Sequence, residues 1–324
     1  MNSLQLSTPP PANALAAVDR LFARLLLAID FGPASLGAAR WATTHVASRA
    51  DAVLMHVVPY DVESQDERTH DAGDDSVRQM TPAIGGGLGG FGATLDVASA
   101  RHIVRVGRPS SRLAAAANDT EASLLVLGRR AAANRIRVGE PNVIERVARQ
   151  TSASVLVVPE GAARTPDHIV VAVDESPVTP LLLRIASRLA RRHEIPLTVL
   201  HVLWPIAAAY NRIIRTTKEL VGPSGNRERS DGLAALDAEA SLSRRKLQWL
   251  EALAGAHNVI GRDSTEVATG DPAREIARTA LQRDGALVVI GARGADAAPV
   301  GSIGSVAREL LTRAPVPVLA VNAI

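Results

Sequence analysis

The chain repeats itself, and this constrains its fold more than any other feature of the sequence. Leu25-Leu26-Leu27-Ala28-Ile29-Asp30 in the first half is answered by Ile169-Val170-Val171-Ala172-Val173-Asp174 in the second. Met55-His56-Val57-Val58 returns as Leu200-His201-Val202-Leu203, and Val106-Gly107-Arg108-Pro109 as Thr269-Gly270-Asp271-Pro272. Leu124 to Gly128 and Val155 to Val158 return as Leu287 to Gly291 and Val318 to Val321. The register shifts by 144 residues at Asp30, by 145 at His56, and by 163 at Gly107, Gly128 and Leu156. The second copy therefore carries about 18 additional residues between its second and third landmarks. A chain of 324 residues also exceeds the roughly 250–300 at which a single core stops growing. Two domains of one fold are expected, over residues 21–160 and 167–324, after a tail of residues 1–20 and joined by a small Pro-containing linker over 161–166.

Within each copy, short apolar runs rich in β-branched residues alternate with helical patterns. Thr179 can cap the helix that follows Asp174, Pro180 suits its first turn, and Leu181, Ile185 and Leu189 fall on one face. Strands apolar on both sides and separated by helices belong to a parallel sheet covered on both faces. The expected class is α/β, with two tandem doubly wound, parallel five-stranded sheets of Rossmann-like, nucleotide-binding α-hydrolase-like form.

Composition removes several alternatives. An apolar content of 47% with 21% charged residues is that of a globular chain. No window approaches the roughly 18 uninterrupted apolar residues of a membrane helix, so no membrane partner is expected. The N-terminal segment lacks a basic start and is broken by Pro9, Pro10 and Pro11, unlike a signal peptide. Cysteine is absent, which excludes disulfides, thiolate metal sites and a cysteine nucleophile, and fits a cytoplasmic setting. The pI near 9.9 suggests nucleic acid, but the net charge is only +3. Only two of the 36 basic residues are lysines, Lys218 and Lys246, and arginines raise the pI without building a strongly positive surface. Aromatic residues at 2% leave little for bases to stack on, so no nucleic-acid partner is expected.

In an open parallel sheet, ligands bind beyond the carboxyl ends of the strands, where the strand order reverses. In the second copy Asp174 closes the first strand and Gly270-Asp271-Pro272 follows the third. A glycine-rich loop from Gly291 to Ser305 follows the fourth strand and enters the helix Val306 to Leu311. Glycines let backbone N–H groups approach an anion, and a helix N-terminus adds partial positive charge. On residues alone two readings stand open: a phosphate cradle, or a loop whose glycines only turn the chain, with Ser305 a plain cap.

The spacing Gly291-x2-Gly294-x9-Gly304-Ser305, with the V-x-V-D strand, the L-H-V strand and the G-x-P turn, resembles the ATP-binding motif of the universal stress protein family. The resemblance covers both halves. It implies that Asp174, with Ala172 beside it, and Val202 line an adenine pocket. It further implies that Ile290, Gly291, Arg293 and Gly294 open the phosphate loop and that Gly304, Ser305 and Val306 complete it around phosphates and ribose. Mg2+ accompanies ATP in such proteins, and the sequence offers no dedicated ligand for it. The first copy departs from the pattern, with Ala131, Pro141 and Asn142 where the second has Gly294, Gly304 and Ser305. Proline removes a donor, and Glu140 adds negative charge, so the first loop is degenerate and little ATP binding is expected there. Gly139 could rescue it only at a shorter spacing.

Other signals carry less. Gly85-x-Gly87-x-x-Gly90 formally matches a dinucleotide fingerprint, but it lies in a low-complexity run read as a flexible insert and lacks the acidic residue about 20 positions on. The acidic stretch Asp61 to Asp75 lacks the spacing of a calcium loop. His56 and His201 read as satisfied structural histidines, and no catalytic residues are assigned. Ser302 and Ser305 are candidate phosphate acceptors. The expected function is that of a non-catalytic stress-response protein that binds ATP in its C-terminal domain and regulates an unknown protein partner. Alternatives are a slow ATPase or autophosphorylating enzyme, and a nucleotide-free interaction module. A homodimer or an intramolecular pseudo-dimer is expected, with contact between Val155–Val158 and Val316–Val321.

Overall fold

The computed structural model describes residues 22–59, 69–130, 142–162, 164–205, 227–257, 259, 264–283, 285–293 and 302–322. The tail over 1–20, the loop residues Ala131, Gly139, Glu140, Pro141 and Gly294, and residues 60–68 and 206–226, which include the start of the acidic stretch and Lys218, lie outside the described residues.

The first half runs β1 (Arg24–Ala28), α1 (Pro33–His45), β2 (Asp51–Val58), α2 (Thr69–Gly92), β3 (Ser99–Val106), α3 (Pro109–Asp119), β4 (Leu124–Arg129), α4 (Val143–Gln150) and β5 (Ser154–Pro159). The second runs β6 (His168–Ala172), α5 (Thr179–His193), β7 (Leu197–Leu203), α6 (Arg227–Ala256), β8 (Ser264–Thr269), α7 (Pro272–Leu281), β9 (Ala286–Gly291), α8 (Ser305–Arg313) and β10 (Val318–Val321). The strands form one sheet in the order β3-β2-β1-β4-β5-β10-β9-β6-β7-β8. Within each half every pairing among the described residues is parallel, and the inner strands are apolar and buried as a sheet covered on both faces demands. Strand order reverses between β1 and β4 and again between β6 and β9.

The halves meet through an antiparallel pairing, the only one among the described residues, with Val318 opposite Val157, Leu319 opposite Leu156 and Ala320 opposite Val155. The last strands are therefore the contact expected from the sequence, and they fuse the two five-stranded units into ten. Two apolar cores result, one on each face of the sheet, and each draws residues from both halves. Leu27, Trp41, Leu182 and Leu319 belong to one; Leu26, Leu125, Val288 and Leu310 belong to the other. Polar contacts brace the join. Asn322 Nδ2 donates to the Ala153 carbonyl at 2.8 Å, Trp41 Nε1 donates to the Arg164 carbonyl at 2.8 Å, and the Arg129 guanidinium donates to the Leu311 and Ala314 carbonyls at the end of α8.

Two local readings need correction. The run Gly85 to Gly92 is not a flexible insert but the end of helix α2. Ile84, Leu88 and Phe91, spaced i, i+4, i+7, seat it on the core, and a Cβ on Gly92 would stand 3.2 Å from the Cβ of Ala100. Small residues let this helix lie close to the sheet, and a helix interior cannot serve as a dinucleotide loop. Thr179 does not cap α5. It is already helical, behind Val178, and its hydroxyl donates to the Asp174 carbonyl at 2.6 Å.

Candidate functional site

At the β6/β9 reversal, the carboxyl ends of β6, β7 and β9 and the N-termini of α7 and α8 enclose a cavity of about 510 Å³. Nine residues singled out from the sequence line it: Ala172, Asp174, Val202, Ile290, Gly291, Arg293, Gly304, Ser305 and Val306. The tenth, Gly294, lies outside the described residues.

Each is placed by a local cause. Asp174 leaves the end of β6 and its Oδ1 accepts the Ser176 N–H at 3.0 Å, an Asx turn that fixes the carboxylate. Val202 follows His201, whose Nδ1 bonds the Val173 carbonyl at 2.8 Å; the carbonyl can only accept, so Nδ1 carries the proton. His201 is thus a satisfied structural group, as is His56, whose Nδ1 donates to the Ile29 carbonyl at 2.7 Å. Gly270 has φ +157° in the turn that ends β8 and sets Pro272 at the head of α7, on the cavity wall.

The loop after β9 is pinned at both ends. Gly304 N–H donates to the Ala292 carbonyl at 2.9 Å, and Arg293 Nε donates to the Ser302 carbonyl at 3.2 Å. A Cβ on Gly291 would stand 2.9 Å from the Arg293 carbonyl oxygen and 3.0 Å from Val178, so glycine permits the close approach. The N-cap of α8 is Gly304, not Ser305. Glycine offers no side-chain oxygen, so the first-turn N–H groups of α8 stay unanswered by a cap and present their partial positive charge toward the cavity. Ser305 is the first helical residue and is exposed.

Leu182, Ile276 and Trp204 also line the cavity and escaped the sequence reading. Trp204, 67% exposed just beyond β7, stands at the cavity rim. Its signal was a large apolar residue three positions after His201, at a strand end where ligands bind.

The first half has a corresponding cavity of about 610 Å³ at the β1/β4 reversal, lined by the counterparts of these residues, including Asp30, Val57, Gly128, Arg130 and Asn142. Its phosphate end differs. Asn142 caps α4, and its Oδ1 accepts the Glu145 N–H at 2.8 Å. Asp30 Oδ1 accepts from the Gly32 N–H at 2.9 Å and the Ser35 hydroxyl at 2.6 Å. Burial pushes the Asp30 pKa up, but the Ser35 and Gly32 hydrogen bonds and the nearby Arg130 outweigh it and hold the carboxyl below its ordinary value. Trp204 is answered in this half by Pro59.

The sequence pattern of the universal stress protein family matches residues 22–159 and again 166–322. The chain belongs to that family, as a tandem of two copies. A universal stress protein from Archaeoglobus fulgidus superposes with a TM-score of 0.60 at 17% identity, over 93% of this chain and 98% of the other. A functionally unknown protein from Pseudomonas aeruginosa superposes with a TM-score of 0.54 at 15% identity, over 96% of this chain and 94% of the other. At these identities the likeness is one of fold. A search of curated protein sequences finds no match.

Proposed function

We propose that the chain is a stress-response protein that binds ATP in the cavity of its second half and acts through nucleotide-dependent contact with a protein partner. The observation that carries this reading is the α8 N-terminus, capped by a glycine, opening on a cavity that also holds Arg293 and Asp174. Helix N–H groups and the Arg293 guanidinium suit the phosphates, and Gly291 and Gly304 keep Cβ atoms out of their way. At the other end, Asp174 accepts from an amine on the base, the walls of Val202 and Ile290 suit its faces, and Trp204 offers a ring for stacking. Mg2+ belongs to this proposal only as the companion of the triphosphate, held by phosphate oxygens and water. A cytoplasmic setting belongs to it as well; among the described residues no helix is long and apolar enough to cross a membrane.

The test is to purify the chain without added nucleotide, denature it and count the nucleotide released. About one ATP per chain is expected, falling toward zero in Asp174→Ala and Gly304→Trp. Two per chain would overturn the assignment to one half. None, with no rise in melting temperature on adding ATP and Mg2+, would leave the interaction module without nucleotide. Phosphate release in the ordinary enzyme range, about 1–1000 per second, would replace the binding reading with the ATPase.

A further inference from the structure

A third cavity, of about 690 Å³, lies at the opposite end of the strands, where Phe22 leads into β1 and Ala50 into β2. Helix α5 of the second half closes its far side, so both halves build it. Its apolar floor is Phe22, Val46, Ile185 and Leu189, all buried in the shared core. Three guanidinium-bearing residues stand around that floor: Arg49 from the turn after α1, and Arg188 and Arg192, spaced i, i+4 on α5. Arg192 reaches across the join to uncharged acceptors, the Ser48 hydroxyl at 2.5 Å and the Thr44 carbonyl at 3.4 Å. Burial, with the charge of Arg192 added, pulls the Arg188 guanidinium below its ordinary value. Like charges at this spacing repel, and an anion between them turns repulsion into attraction. Two carboxylates share the first-half wall, Asp51 and Asp96. Asp51 accepts the Ser99 hydroxyl at 2.6 Å, and the Asp96 carbonyl accepts the Arg49 N–H at 3.1 Å. Among the described residues, neither carboxylate forms an ion pair with Arg49 or Arg192.

The repeat shows that the cations are particular to this groove. Arg49 and Glu194 are counterparts 145 residues apart, in the same left-handed turn, with φ +58° and +55°. The turn fixes the backbone and not the charge, which is opposite in the two copies. The positions of α1 and its following turn that answer Arg188 and Arg192, at a shift of 144 or 145, are 43–44 and 47–48. They hold Thr43, Thr44, Ala47 and Ser48. The three arginines are therefore no by-product of duplication; they gather on one side of the join.

We propose that this groove binds a compact anion of two or more charges, phosphate or carboxylate, held between Arg49 of the first half and the Arg188–Arg192 face of α5. Guanidinium forks match the oxygens of either group. The anion ties the halves together at the amino ends of the strands, away from both cavities at the carboxyl ends. The proposal does not rest on ATP binding in the second half.

The probes are inorganic pyrophosphate and citrate, each titrated by calorimetry into the full chain at low salt without Mg2+. One equivalent of at least one probe is expected, weakening as salt is raised. Pyrophosphate alone assigns the site to phosphates, citrate alone to carboxylates, and both to a site that reads charge; each result supports the proposal. Affinity should fall about tenfold or more in Arg49→Gln and in Arg192→Gln. One equivalent should persist in Gly304→Trp. Loss of all binding in Gly304→Trp would move the anion to the second-half cavity and overturn the proposal, as would binding unchanged in the arginine variants. A check that needs no variant is phenylglyoxal modification of the wild-type chain with and without the bound probe, read by mass spectrometry. Protection of Arg49 and Arg192 supports the groove; protection of Arg293 alone overturns it. No heat with either probe, the result if the chain's own first residues fill the groove, overturns it as well.

Discussion

His45 lies where the halves meet, its ring 5.3 Å from Trp41 and 5.5 Å from His193, with Nδ1 buried and unpartnered. Burial, with the charges of His193 and Arg192 added, pushes its pKa from 6.5 down to about 4. His168, bonded to Thr198 Oγ1 at 2.9 Å, is pushed down to about 4 by burial and Arg283. Between these values the unfolded chain binds protons that the folded chain refuses, so stability rises with pH across that window. Acidification from about pH 6.5 to 4 is expected to cost on the order of 2 kcal/mol per ring, read by urea unfolding at a series of pH values. His45→Gln should flatten the acid limb; an unchanged slope would show that its ring is protonated in the fold. Single residues were unevenly legible in the sequence. Asp174 and Gly304 stand out because the repeat sets them beside Asp30 and Pro141. The Asn142 cap and the reach of Arg129 to α8 were not legible, since both depend on which helix end faces which strand.

Among the elements, α2 was the least readable from sequence. Glycine has poor helix propensity, and a run of them reads as loop. Yet Ile84, Leu88 and Phe91 bind one face to the core, and the glycines fit where larger residues would not. Those facing open space gain nothing from being glycine. Gly86→Ala and Gly90→Ala, with nothing within 4 Å of the added Cβ, are expected to stabilise by about 0.5–1 kcal/mol each. Gly128→Ala should do the reverse. Its Cβ would stand 2.3 Å from the Ala34 carbonyl carbon and oxygen, forcing α1 off the end of β4 at a cost of roughly 1–3 kcal/mol. Thermal unfolding of the three variants checks both signs at once. Strands β1, β4, β6 and β9 were legible because burial on both faces leaves them almost wholly apolar, a pattern that helices here do not share.

At the scale of the whole molecule, the sequence predicted two units and the structure fuses them into one sheet. The fusion could be anticipated only in part, because β5 and β10 carry nothing that distinguishes an edge from an interior strand; both are buried along their length. Two shared cores and the β5–β10 ladder are expected to hold the halves together without the connecting segment. A protease site placed within 161–166 should, after cleavage, leave a single species on gel filtration at micromolar concentration; separation into halves would show the join to be weak. The linker then has a different role. It sets the effective concentration of one half at the other, in the millimolar range for a short tether. Free copies with this contact strand would pair by chance, like with like as readily as like with unlike. Joined in one chain, they cannot exchange partners. Every molecule therefore carries one glycine-capped cavity and one asparagine-capped cavity, in a ratio that neither dilution nor expression level can change.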